Sequence, residues 1–165
     1  MNLRSIILGP VLAATLYSGN IQAENVGYAN IGTSSNAKNP VNGSFGAKFI
    51  KKLGNGFDIG LDLGLLLENT SYETSMGAIL GKDFKDYGLN IGAGANMIQL
   101  REPMQALESE ETTQEGSAFI RTSLYRKIKD KLRLSLNYQK NFASDTLYEV
   151  GYPHHRASIG IETPF

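Results

Sequence analysis

Phe57-Asp58-Ile59-Gly60-Leu61-Asp62-Leu63-Gly64-Leu65-Leu66-Leu67-Glu68 alternates along its whole length. Phe57, Ile59, Leu61, Leu63, Leu65 and Leu67 fall on one side. Asp58, Gly60, Asp62, Gly64, Leu66 and Glu68 fall on the other. A period of two is that of a β-strand, whose side chains point to opposite faces in turn. Large apolar residues on one face, against aspartates and glycines on the other, describe a strand with lipid on one side and a wet or salt-bridged space on the other.

The same split recurs from Tyr87 to Met97, with Gly88, Asn90, Gly92, Gly94 and Asn96 on the polar side, and from Leu132 to Tyr138, with Arg133, Ser135 and Asn137 there. Five less regular segments complete an even count of eight: Val26 to Thr33, Phe45 to Lys51, Tyr72 to Gly81, Ala118 to Arg126, and Arg156 to Phe165. The spacing predicts an all-β, eight-stranded antiparallel up-and-down transmembrane β-barrel with both termini on the periplasmic side.

Connections of alternating length agree. Brief turns are expected at Gly54-Asn55-Gly56, Lys82 to Asp86 and Lys127 to Lys131. Outer loops are expected at Ser34 to Ser44, Ile98 to Gly116 and Ala143 to His155, with a short one at Glu68 to Ser71.

The start of the chain reads as an export tag. Arg4 supplies a positive n-region, Ile6 to Leu16 an apolar stretch broken by Gly9-Pro10, and Ile21-Gln22-Ala23 a cleavage site. The stretch is too short to span a bilayer as a helix. A signal peptide over 1–23 and a barrel over 24–165 follow. Without Arg4 the chain has 15 basic residues against 16 acidic ones, which gives no argument for nucleic acid. The absence of Cys excludes disulfides and thiolate metal sites.

Parity assigns an inward set of Lys48, Asp58, Asp62, Glu68, Glu73, Asn90, Asn96, Arg121, Arg133, Asn137, Gln139 and Glu162. Charges of both signs in a narrow, partly dehydrated lumen should pair. Eight strands leave an interior filled by side chains, so a diffusion pore is not expected. Tyr28, Phe49, Phe57, Tyr87 and Phe165 are expected at the periplasmic rim, and Tyr72, Tyr138 and Phe142 towards the outer one, as an aromatic girdle. The rival is a soluble lipocalin-like barrel, which would bury the apolar set and put the polar set in water.

The signal, the eight amphipathic strands and the terminal Ile159-Gly160-Ile161-Glu162-Thr163-Pro164-Phe165 together resemble the small eight-stranded outer-membrane proteins of Gram-negative bacteria, the group that includes OmpA-type and OmpX-type barrels. The pattern departs from the group at Thr163, often aromatic there, and at Pro164, which cannot donate to a ladder. The resemblance implies an integral outer-membrane monomer in contact with outer-membrane lipids and lipopolysaccharide, inserted by the barrel assembly machinery.

Such folds host adhesins, anchors, conduits and lipid-modifying enzymes alike. His154, His155 and Ser158, with Ser144 and Asp145, are the residue types of a Ser-His-acid hydrolase, loosely like lipid A deacylases. His155 and Ser158 are three apart and so point to opposite strand faces; His154 and Ser158 share a face but lie about 13 Å apart. No catalytic, cofactor or metal site is therefore assigned. The loop over 98–116 sets Arg101 against Glu102, Glu108, Glu110, Glu111 and Glu115, a run suited to an extracellular partner or to divalent cations shared with lipopolysaccharide phosphates. Residues 104–111 have the makings of a helical turn or two. The expected role is non-enzymatic, structural or through the outer loops. The alternatives are a narrow conduit or binding site for small apolar molecules, and a lipid A-modifying hydrolase.

Overall fold

A computed structural model describes residues 23–35, 41–68, 71–100, 114–129 and 131–165. The strands are β1 (Ala23–Ser34), β2 (Val41–Gly54), β3 (Phe57–Leu67), β4 (Ser71–Asp83), β5 (Tyr87–Leu100), β6 (Gln114–Lys129), β7 (Leu132–Phe142) and β8 (His155–Pro164). One short helix, α1 (Asp145–Glu149), lies between β7 and β8. Each strand pairs antiparallel with the next, and β8 pairs with β1 from Val26↔Pro164 to Ser34↔Arg156, so the sheet closes on itself in chain order. Ala23 and Phe165 lie at one end, called here the terminal rim; α1 lies at the other, the cap rim. The expected leader falls outside the described residues except for Ala23, which opens β1.

Alternation decides which face is outside. Along β8, Ile159 and Ile161 are about half exposed, while Glu162 between Ile161 and Thr163 is 1% exposed. Along β7, Leu134 and Leu136 are exposed, and Arg133 and Ser135 are buried. The apolar set is therefore on the outer wall, the reverse of a soluble lipocalin-like barrel. Every strand satisfies its backbone groups in a ladder with two neighbours, so no sheet edge is left open, as an apolar surrounding demands.

The strands run further than the alternation suggested. β2 begins at Val41, β6 reaches from Gln114 to Lys129 and β7 extends to Phe142. Ladder pairing continues past the apolar band into stretches such as Asn42-Gly43-Ser44 that carry no period of their own. Pro164 lies opposite Val26, and the ladder carries on beyond it through the Phe165 N–H, which donates to the Asn25 carbonyl at 2.9 Å.

The terminal-rim turns are tight. Gly54, Asn55 and Gly56 all have positive φ (95°, 53° and 76°), and a bulge between Lys52 and Gly54 lets β2 turn into β3. On the cap rim, β3 and β4 are joined by the short connection after Glu68, closed by the Glu68 N–H donating to the Ser71 carbonyl at 2.9 Å.

Phe57, Tyr87 and Phe165 face outward at the terminal rim, and Tyr138 and Phe142 face outward nearer the cap. Tyr28 does not join them. Its position on β1 has the inward parity of Val26, and its ring is 7% exposed. It fills the space opposite Gly46, its register partner, and beside Gly64; a Cβ at either glycine would come to 2.5 Å from the Tyr28 hydroxyl.

Candidate functional site

The interior is the part of the molecule where side chains converge. The whole of the expected inward set points into it, joined by Tyr28, Tyr125 and Arg156, which the list by parity left out. Near the terminal rim Lys52 lies 3.5 Å from Glu24 and 3.6 Å from Asp83, Lys127 lies 2.9 Å from Asp83, and Arg133 donates to Glu24. Midway, Lys48 pairs with Glu162. There too the Tyr28 hydroxyl donates to Asp62 at 2.9 Å, and Arg121 donates to Asp62 at 2.6 Å and to Gln139 at 2.7 and 2.9 Å. Towards the cap, Arg156 donates to Glu68 at 3.2 Å and clamps both carboxylate oxygens of Glu73. Burying one such ion alone would cost several kcal/mol. The residues therefore occur as complementary pairs that share further donors, among them Ser34 to Glu68 at 2.6 Å.

Above the Arg156 level the chain closes its own mouth. Ser144 caps α1, its hydroxyl accepting from the Leu147 N–H at 3.3 Å. Leu147, fully buried, packs with Tyr152 against Ile98 of β5. The Tyr152 hydroxyl lies 2.8 Å from the Ser117 hydroxyl, accepts from Asn96 at 3.2 Å and donates to Glu73 at 3.1 Å. Burial, together with the negative charge of Glu73, pushes this phenol up to about 12. Gly151, at φ 94°, turns the chain so that Tyr152 enters the lumen, and Asn141 holds the Pro153 carbonyl at 2.8 Å. This cap was not legible in the loop over 143–155, because Leu147 and Tyr152 belong to no periodic pattern.

Between these levels lies a small cavity bordered by Lys48, Asp62, Asn90, Phe119, Arg121 and Ser123. Asn90 Nδ2 and Ser123 Oγ, on register partners of β5 and β6, are buried there without a hydrogen-bond partner among the described residues.

The residues considered for hydrolysis are not assembled. Ser144 is the helix cap and also lies 3.4 Å from Glu115. His154 stacks on the Tyr148 ring with centroids 3.7 Å apart. His155 presents Nδ1 to the Tyr138 hydroxyl at 2.7 Å on the outer wall, whereas Ser158 has the inward parity of Glu162. Among the described residues neither histidine ring is hydrogen-bonded to a serine hydroxyl; the His155 backbone meets Ser35 twice, its N–H donating to the Ser35 hydroxyl at 3.0 Å and its carbonyl accepting from the Ser35 N–H at 2.9 Å. Among the described residues no group of His, Asp and Glu has metal-binding geometry. Most of the acidic loop, 101–113, lies outside the described residues, as does the helical turn expected over 104–111.

No family model and no curated protein matches the sequence. Solved structures do match. The N-terminal β-barrel domain of Pseudomonas aeruginosa OprF superposes with a TM-score of 0.59 at 14% identity, covering 87% of this chain and 100% of that one. The fold is that of the small outer-membrane barrels. Neisserial surface protein A (TM-score 0.54, 15% identity, 87% and 97% covered) and the Yersinia pestis outer membrane protein Ail in a phospholipid bilayer nanodisc (0.56, 13%, 87% and 100%) share it. At such identities the likeness speaks for the architecture alone.

Proposed function

We propose that this chain is an integral outer-membrane protein without enzymatic activity, one that stabilises the envelope or presents its outer loops to partners. The observation that carries the reading is the wall: a closed ring of eight strands with Leu, Ile and Phe exposed outward and ion pairs buried inward. Only an apolar surrounding makes that arrangement favourable, since each half-exposed large side chain forfeits on the order of 1 kcal/mol in water. Under this reading the terminal rim faces the periplasm and the cap rim faces outward. The leader over 1–23 directs export, the last strand serves assembly, and the acidic loop over 98–116 meets lipopolysaccharide or an extracellular partner. The capped lumen weighs against a conduit, and the separation of His155 from Ser158 weighs against lipid A hydrolysis.

Extraction tests the reading. The protein should stay with envelopes through high salt and osmotic shock, leave only with detergent, and migrate faster on gels unheated than boiled. Release by salt or shock alone would sink it.

A further inference from the structure

Among the described residues the two rims differ in the sign of the charge they turn outward. At the terminal rim Lys51 of β2, Lys82 of β4 and Arg126 of β6 have outward parity, Lys129 ends β6, and Lys85 and Lys131 stand on the turns between β4 and β5 and between β6 and β7. Lys85, Arg126, Lys129 and Lys131 are exposed. Among the described residues the acids at this level mostly turn the other way: Glu24, Asp58 and Asp83 face the lumen, Glu24 and Asp83 in ion pairs, and Asp86 is exposed. At the cap rim, among the described residues, Lys140 is the one outward Lys or Arg, and Asp145 and Glu149 are exposed.

These cations do not form a water-facing patch set apart from the apolar wall. Lys51 is paired in register with Ile59, Lys82 with Phe57 and Leu89, and Arg126 with Tyr87 and Leu134. The Lys82 ammonium sits 3.8 Å from the centroid of the Phe57 ring. Phe84, Ile128 and Phe165 are exposed at the same level. Aliphatic stems along an apolar surface with charged heads at its border are the arrangement that places cations among lipid headgroups. A soluble acidic partner would not need the interleaved apolar residues.

We propose that the terminal rim carries a cationic collar that binds the phosphates of anionic glycerophospholipids in the leaflet around it. The collar spans β2 to β7, so it engages several headgroups around the wall instead of one in a pocket. This rests on the membrane reading above and adds to it a lipid class and a leaflet.

The test is native mass spectrometry of the purified full chain titrated with phosphatidylglycerol or phosphatidylcholine, alongside insertion into phosphatidylcholine vesicles scored by the gel shift. Near an anionic surface each cation should contribute roughly fivefold to lipid preference. The wild type should retain phosphatidylglycerol over phosphatidylcholine by about tenfold or more, with the preference lost at high salt. Lys51→Gln, Lys82→Gln, Lys85→Gln, Arg126→Gln, Lys129→Gln and Lys131→Gln together should abolish it; Lys140→Gln alone should leave it intact. Equal retention of the two lipids by an inserted wild type, a preference surviving high salt, or tighter binding of soluble polyglutamate than of lipid would overturn the collar. Failure of the wild type to insert would instead overturn the membrane reading on which it stands.

Discussion

The ring of Tyr125 lies across Gly88, its register partner on the neighbouring strand, closer than any real Cβ could tolerate. Phe119 stands in the same relation to Gly94, where a Cβ would come to 2.8 Å from the ring, and Tyr28 to Gly46. An inward aromatic laid over an inward glycine fills the lumen and covers backbone that glycine would leave bare. Gly88→Ala should thus cost about 1–3 kcal/mol through overpacking. In a Tyr125→Ala background the same change should cost much less. Urea unfolding of the four proteins measures both; equal costs in the two backgrounds would refute the coupling.

Arg156 stands between two carboxylates, Glu68 and Glu73, deep in the lumen. Arg156→Met leaves both without their cation and should destabilise by about 3–5 kcal/mol. Adding Glu73→Gln should recover a large part of that loss, because the uncompensated charge is removed with it. A double-mutant cycle by denaturant unfolding gives the coupling directly.

Among the described residues Ser123 Oγ has no partner to lose. Ser123→Ala should therefore be neutral or stabilising by up to about 1 kcal/mol, whereas Ser117→Ala, which removes a partner of Tyr152, should destabilise by about 1 kcal/mol. A larger loss at Ser123 than at Ser117 would show that the cavity beside it is satisfied in another way.

Tyr152 gives the cap a pH dependence. Its phenol is raised from 10.0 to about 12 in the folded protein, so the unfolded chain ionises first. Its contribution is complete below about pH 10 and is lost as the pH rises towards 12. Tyr152→Phe should remove that part of the alkaline destabilisation, seen as the difference between the two proteins in unfolding midpoint against pH. Identical profiles would contradict the assignment.

His155→Ala and Ser158→Ala should leave the lipid A of expressing cells unchanged, since the two side chains lie on opposite faces of β8. Mass spectra of extracted lipid A decide this. A deacylated species present with the wild type and absent with either variant would restore the hydrolase.

The barrel was legible because each central strand meets two media at once and writes both into its alternation, as Phe57 to Leu67 does. Strand ends were not, because Asn42, Gly43 and Ser44 extend the ladder beyond the apolar band, where nothing enforces a period. The lumen charges followed from parity, and parity would also have delivered Arg156. Tyr28 departs from the girdle because an aromatic near a rim reads as interfacial whichever face it is on; the inward Gly46 opposite it is the signal that it turns inward. Leu147 and Tyr152 left no trace of this kind, since a loop that folds back into a mouth has its partners scattered over Ile98, Asn96, Ser117 and Glu73.

Leu147 and Tyr152 also set how far this barrel stands from a different occupation. Because the stopper belongs to the connecting loop and not to the wall, changes in that loop can unblock the outer mouth while every ladder hydrogen bond stays in place. Below the stopper the ion pairs from Arg156 down to Lys52 still fill the cylinder, so losing Leu147 and Tyr152 would bring those charges to the surface of the mouth and leave the wall as it is.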